Sequence, residues 1–364
     1  MTRIRRITAA VRRVAPRREA DSYQGLESLT FVQCQVETED GLAGTGVTGR
    51  FLAPQVAALL NDGFDEALRG GDARDIEAIG AGLAARFNPR GMTGVFVAAL
   101  SALDQALWDL RGKALGQPVW RLLGGARAVV PAYATVGLPR FAEAELVAAC
   151  TDALARGMAG VKMLVGAGGR SLAEDAARVR AVRAAIGPGA ALMLDANCSM
   201  SVADARRLCG LVADCGIAWF EEPVTGNDIE ALATLRRQVA IPIAAGQMVG
   251  SVTWFRDALA RGALDWVQPN AAFCGGISAM LRILALAEAH AVPVAGAGGW
   301  EIANLPVMAG HAHGGMLEIH GAHAALRDLL AEEALPEAGL LRAPERPGLG
   351  FAFREAPGSA TAST

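Results

Sequence analysis

At 364 residues, with 52% hydrophobic and 20% charged side chains, the chain can bury a large core and is long enough for more than one domain. A formal net charge of −3, with Lys and Arg in runs no longer than pairs such as Arg12-Arg13 and Arg17-Arg18, argues against nucleic acid and for a small-molecule partner. The basic opening Met1 to Ile7 is not followed by the roughly 7 to 15 apolar residues of a signal peptide, and no stretch offers the ~18 of a membrane span, so no membrane partner and a cytoplasmic location are expected.

Along the chain, Val32, Cys34 and Val36 alternate with Gln33 and Gln35, the period of a half-buried strand reaching back towards Leu29. Asp40-Gly41 is a strong hairpin signal, and Leu42 to Val47 reads as the returning strand. From Ala53 to Leu123 the spacing turns helical, most clearly in Val95 to Leu115, where Phe96, Leu100, Leu103, Leu107 and Leu110 share a face. A strand pair followed by helices makes an α+β first domain, closed by Gly124-Gly125.

Beyond Val129 the rhythm is strand then helix. Eight short apolar runs, Val130 to Gly137, Gly160 to Val165, Ala191 to Asn197, Ile217 to Pro223, Ile241 to Gln247, Asp265 to Asn270, Pro293 to Gly298 and Met316 to Gly321, predict a parallel (β/α) barrel. Arg327 to Leu335 is again helical in pattern, and the tail from Ala356 reads as a disordered terminus. The six cysteines, with no CxxC pair, read as free buried thiols, with Cys198 and Cys274 set apart by lying beside strand ends.

Barrel chemistry sits at the carboxyl ends of the strands. Those ends carry Tyr133 and Thr135, Lys162 and Leu164, Asp195 and Asn197, Glu221 and Glu222, Gln247, Gln268 and Asn270, and Glu318 and His320; the seventh strand offers nothing reactive before Glu301. One strand-end Asp is commonly a helix cap. Asp195, Glu221 and Gln247 on successive strands, however, form an all-oxygen set suited to a hard cation such as Mg²⁺. Lys162 inside an apolar run needs charged partners, because an unpaired ammonium is costly to bury, and the same carboxylates are the obvious ones. Glu222 can be satisfied by local donors, and His290, His311 and His313 fall on helical or loop segments that suit capping or solvated roles.

These residues resemble a known family. Ala99 to Lys113 (ALSALDQALWDLRGK), Leu122-Leu123-Gly124-Gly125, Asp195-Ala196-Asn197, Glu221-Glu222-Pro223, Gly275-Gly276-Ile277 and Pro347 to Gly350 are together similar to the mandelate racemase and muconate lactonizing group of the enolase superfamily, across nearly the whole chain. Gln268-Pro269-Asn270 before the double glycine favours the mandelate racemase-like branch. The resemblance implies a modified TIM-type (β/α) barrel at 126–325, an α+β N-terminal capping domain at 1–125 and a C-terminal segment, 326–364, returning to that cap. It implies Mg²⁺ as cofactor and abstraction of a proton alpha to a carboxylate, on an acid sugar or amino-acid derivative, in a homo-oligomer. By position, Asp195, Glu221 and Gln247 match the metal ligands, Lys162 the electrostatic lysine and Glu318 the glutamate that hydrogen-bonds the intermediate, while Tyr23, Asn197 and Asn270 are the expected substrate contacts.

Four positions depart from the pattern. Leu164 replaces a second lysine that would act as base, Gln247 replaces a third acidic ligand, and Asn270 with Ala297 stand where an Asp and a His form the opposing base. Leucine and alanine side chains accept no proton, so a two-base racemisation is not expected, and Gln247 predicts weaker metal binding. The expectation is a divergent lyase or isomerase, dehydratase- or racemase-like, using Lys162, Tyr133, His320 or the substrate itself as base, with a non-catalytic carboxylate-binding relative as the alternative.

Overall fold

The structure, a computed structural model, describes residues 3–14, 29–91, 94–137, 141–323, 327, 329–330 and 336–354. Strands β1 (Ile4–Val14), β2 (Leu29–Thr38) and β3 (Ala43–Thr48) form an antiparallel sheet in that order. The β2–β3 turn is at Asp40-Gly41, where Gly41 has φ +85°, a left-handed angle that glycine adopts without penalty, and the Thr38 hydroxyl donates to Asp40 Oδ1 at 2.6 Å. The first strand is absent from the sequence reading. A register shift between Ile4 and Arg6 breaks its alternation, and only Ile4 and Ile7 are fully buried, so no period of two survives.

The helix Gly94–Ala114 lies directly on β3. A side-chain carbon at Gly46 would stand 2.0 Å from the Ala102 carbonyl oxygen, and one at Gly44 would stand 2.1 Å from that of Ala106, so only glycine permits this approach. Phe96, Leu103, Leu107 and Leu110 of the helix pack into the core of the first domain. Its other face is polar, yet it too is buried, and it reaches the barrel. Ser101 Oγ accepts from Gly275 N at 2.9 Å, and Asp104 accepts from the backbone N–H and hydroxyl of Ser278. Gln105 accepts from Val47 N and donates to the carbonyls of Val47 and Ala271, while Asp109 accepts from Thr45 N and Leu349 N.

The barrel strands are β4 (Val129–Gly137), β5 (Gly160–Leu164), β6 (Ala191–Asp195), β7 (Ile217–Glu221), β8 (Ile243–Ala245), β9 (Trp266–Val267), β10 (Ala295–Gly296) and β11 (Met316–His320). All eight neighbouring runs pair in parallel, in the order β10-β11-β4-β5-β6-β7-β8-β9, and a parallel bridge between Val267 and Val294 brings the two ends together. This is a modified TIM barrel with an α+β capping domain. Outward residues such as Val161, Met163, Leu192 and Leu194 pack under the surrounding helices, and alternation sends their neighbours into the barrel.

The C-terminal stretch crosses both units. Strand β12 (Leu340–Arg342) pairs antiparallel with β4, Trp120 Nε1 donates to Pro344 O at 2.8 Å, and Phe353 stacks on Phe31 of β2 with ring centroids 5.8 Å apart. The helical pattern at 327–335 and the tail from Ala356 lie largely or wholly outside the described residues. No helix among the described residues is long and apolar enough to cross a membrane. Gln105→Leu would leave one buried N–H and two buried carbonyls of Val47 and Ala271 unpaired. The expected loss is about 3 kcal/mol, measured by denaturant unfolding, with the same change at the half-buried Gln33 within about 0.5 kcal/mol of the parent.

Candidate active site

The barrel interior is layered, and the layers follow from a step of two along each strand. The floor is made by Tyr133, Met193, Trp219, Ala244 and Ala295, with Trp266 and Met316 packed against them. Trp219 meets the Tyr133 ring edge-on at 5.3 Å and lies 5.0 Å from Trp266. Two residues further along those strands stand Thr135, Asp195, Glu221, Gln268, Ala297 and Glu318, joined by Lys162 from β5. An aromatic floor thus carries an ionic layer, above which His320, Leu164, Asn197, Gln247 and Asn270 finish the strands or begin the loops.

Lys162 is fully buried, and Nζ lies 2.5 Å from Glu221 Oε2, 3.2 Å from Asp195 Oδ2 and 3.3 Å from Glu318 Oε1. Burial alone would lower its pKa, but the carboxylates of Glu221, Glu318 and Asp195 raise it well above the usual lysine value. Glu318 is held in turn. Thr135 Oγ1 donates to its Oε1 and Gly298 N to its Oε2, both at 2.5 Å. Burial would raise this carboxyl, yet Lys162, His320 and those donors bring it down to about 2.

Glu221 has the opposite balance. Its Oε2 takes Lys162 and Gln268 Nε2, both at 2.5 Å, while its Oε1 is buried with no hydrogen-bond partner. Burial, with Asp195 and Glu318 adding to it, pushes its pKa well above the usual range despite Lys162. Burial is the main cause, and the imbalance adds to it: three carboxyl groups share one ammonium in a water-excluded layer, an arrangement that a divalent cation would stabilise. Among the described residues no three His, Cys, Asp or Glu side chains are arranged to hold a metal, so Asp195 and Glu221 need a third donor of another kind. The partly buried Gln247, on the loop after β8, is one of the amides at the rim, with Asn197 and Asn270.

Other strand-end residues divide by position. Asp195 Oδ1 accepts from Asn197 N at 2.8 Å, with Asn197 in a left-handed conformation (φ +45°) and exposed at the mouth. Glu222 is occupied elsewhere: Asn227 Nδ2 donates to its Oε1 at 2.8 Å, and the Cys198 thiol, pushed up to about 12 by burial, points to its Oε2. The ring of His320 stacks on His323 at 5.2 Å, and burial lowers its pKa below the usual imidazole value against the pull of Glu318. Tyr133 lies beneath Lys162, with Nζ 5.7 Å from its ring centre, and burial raises its hydroxyl pKa well above 10. Tyr23 falls outside the described residues. In the sequence Thr135 and Gln268 are marked only as strand ends, although their offset of two from Tyr133 and Trp266 is a readable sign of inward orientation. Asn304, on the helix Glu301–Gly310, has no such sign, yet it bonds to Asn270, Ala271 and Ala297.

Comparison with known proteins places this site in a family. Residues 6–124 match the mandelate racemase / muconate lactonizing enzyme N-terminal domain, and residues 145–356 match the enolase C-terminal domain-like family. The chain belongs to the mandelate racemase/muconate lactonizing enzyme family. Relatives include the 3,6-anhydro-alpha-L-galactonate cycloisomerase of Streptomyces coelicolor, 32% identical over 92% of each chain. The D-galactarolactone cycloisomerase of Agrobacterium fabrum is 33% identical over 88% of each. A racemase from Streptomyces coelicolor, solved with bound magnesium, superposes with a TM-score of 0.89 at 31% identity, covering 96% of this chain and 97% of that one.

Within this family member, removing the ammonium tests the charge count. Lys162→Met should cost about 3 to 5 kcal/mol at neutral pH. Glu221, whose pKa burial already raises, then loses the charge that opposes the rise, so the penalty is largest at high pH and relieved as pH falls through its raised value. Melting in metal-free buffer at about pH 8 and about pH 5.5 should therefore show a smaller deficit at the lower pH.

Proposed function

We propose that this protein is a Mg²⁺-dependent lyase or isomerase that removes the proton alpha to the carboxylate of a small polyhydroxy acid, passing through an enediolate. The observation that carries this reading is the ionic layer itself: a fully buried Lys162 in contact with the carboxyl groups of Asp195, Glu221 and Glu318 at the carboxyl ends of barrel strands, three acids against one ammonium. The cation site would be Asp195, Glu221 and the Gln247 amide, and the unpartnered Glu221 Oε1 fits that use. When bound, Mg²⁺ supplies positive charge against the enediolate and lowers the pKa of the alpha proton. The acid-sugar substrates named for the relatives support the polyhydroxy acid as the class.

The residues then take distinct roles. Lys162 stays charged and donates to the carboxylate oxygen on which charge develops, a preorganised contribution that needs no rearrangement. Its Nζ is surrounded by three carboxyl groups, so in this reading it serves as a fixed positive charge and not as the base. Both oxygens of the ionised Glu318 are occupied by donors, so it orients Lys162 and has no proton to give to the intermediate. Tyr133 supports Lys162 from the floor, where a high pKa removes it from proton transfer. His320 remains. Its neutral imidazole, on the inward side of β11 two residues beyond Glu318, is the base in this reading. Self-association belongs to the proposal as well: Phe51 and Leu52 are exposed beside an apolar groove lined by Val95, Val97, Met248 and Phe273, and analytical ultracentrifugation reads it directly.

Incubation with Mg²⁺ and a panel of aldonates, aldarates and their lactones in D₂O, followed by NMR, tests the reaction. Exchange or turnover of at least one acid is expected. A protein that exchanges none but binds one is the carboxylate-binding relative that Leu164 and Ala297 would favour. His320→Asn should lower the exchange rate by about 10² to 10⁴-fold. Since the neutral ring is required, kcat/KM should rise with pH through a midpoint below 6.5 in the parent and lose that limb in the variant. Gln247→Glu should tighten Mg²⁺ in a calorimetric titration, and Asp195→Ala should abolish the Mg²⁺-dependent rise in melting temperature; unchanged metal binding in both would sink the ligand assignment.

A further inference from the structure

Asn270 follows β9 at the barrel mouth and is fully buried. Its Oδ1 accepts two hydrogen bonds, from Ala272 N at 2.9 Å and from Asn304 Nδ2 at 3.3 Å. Asn304 is itself constrained, because its Oδ1 accepts from Ala271 N at 2.8 Å and its Nδ2 also donates to Ala297 O at 3.0 Å. Two backbone N–H groups and one carbonyl therefore dictate which end of each amide is oxygen, since an amide nitrogen cannot accept. The orientation follows from the network, and it leaves Asn270 Nδ2 buried with no partner.

That donor lies against Gly298, on the side where the Gln247 side chain also packs. The point at which a side chain of Gly298 would begin is 2.2 Å from Asn270 Nδ2 and 3.5 Å from Gln247 Cγ. Gly298 (φ +79°) also donates its N–H to Glu318. The amide thus shares the space over Gly298 with the Gln247 side chain, beside the ionic layer. An unmet buried donor costs about 1 to 3 kcal/mol, a cost that an incoming oxygen removes. An amide neither takes up nor releases a proton near neutral pH, so the group suits recognition and not proton transfer.

We propose that Asn270 is a specificity-determining residue donating a hydrogen bond to an acceptor oxygen, hydroxyl or carboxylate, of the substrate, and that Asn304 is the positioning residue that locks it as a donor. The position of the substrate rests on the function proposed above. Selection is the consequence: a ligand lacking oxygen at that point leaves the donor unpaired, and a carboxylate in place of the amide would repel the same oxygen.

The test is calorimetric binding of galactarate, galactonate and gluconate to the Mg²⁺-loaded protein. Asn270→Asp should weaken the tightest of these acids by about 10 to 10²-fold, and Asn304→Leu by about 10-fold. The double variant should bind no more weakly than Asn270→Asp alone, because Asn304 acts through Asn270. Where an acid is turned over, the loss should fall on KM with kcat largely kept. Asn304→Asp keeps the acceptor for Ala271 N–H and replaces the donor with a carboxylate oxygen that repels Asn270 Oδ1, so at least the same loss is expected if the leucine variant does not fold. Binding by Asn270→Asp within twofold of the parent, in a protein that still exchanges alpha hydrogens, overturns this inference alone. Loss of binding in the variant of a parent that exchanges nothing overturns the proposed reaction alone, and a parent that binds none of the acids overturns both.

Discussion

The molecule depends on one arrangement of charge: a lysine and three carboxylates enclosed where water does not reach. In water each of these contacts would be worth little, but in a dry layer every one is strong and every missing one is costly. That is why the groups around the layer are so fully committed. Thr135 and Gly298 hold Glu318, Gln268 holds Glu221, and the Asn197 N–H holds Asp195. What these bonds do not cover is the imbalance of three acids against one ammonium and the lone Glu221 oxygen.

Such a layer has to be assembled from strands far apart in sequence, so its precision rests on the seam between cap and barrel. The helix Gly94–Ala114 presents apolar residues to its own domain and buried Ser101, Asp104, Gln105 and Asp109 to the barrel and the C-terminal stretch. Asp104 shows the strain in this solution. Burial raises its pKa to about 6 although Ser278 and the helix Gly276–Ala289 donate to it. A polar seam of this kind fixes register and orientation in a way that a greasy one would not, because a buried donor accepts few alternative partners.

Much of this was legible in the chain. All eight barrel runs could be found from their apolar character and their breakers, and Lys162 stood out because an ammonium in an apolar run demands partners. Other features were hidden for physical reasons. Strand β1 lost its alternation to a register shift. Three barrel strands are only two or three residues long, so residues read as strand, such as Gln268 and Ala297, are the first of the loops. The direction of the Lys162 shift could not be read either, since it depends on carboxylates from β6, β7 and β11 converging on one atom. Tyr133 looked like a rim residue in one dimension, and alternation puts it one layer down. Asn304 was invisible because nothing local distinguishes a helix residue that reaches back across a barrel mouth.

The two-residue offset between floor and ionic layer also separates two duties that many proteins must combine. Packing of the barrel is settled by Tyr133, Met193, Trp219 and Trp266, one step below the residues that carry charge. A side chain at the rim can therefore change its chemical character without disturbing the tier that closes the cylinder. Leu164 and Gln247 sit at that rim. In such a design the scaffold is indifferent to its reaction, and a new chemistry requires rewriting only the outermost course of residues.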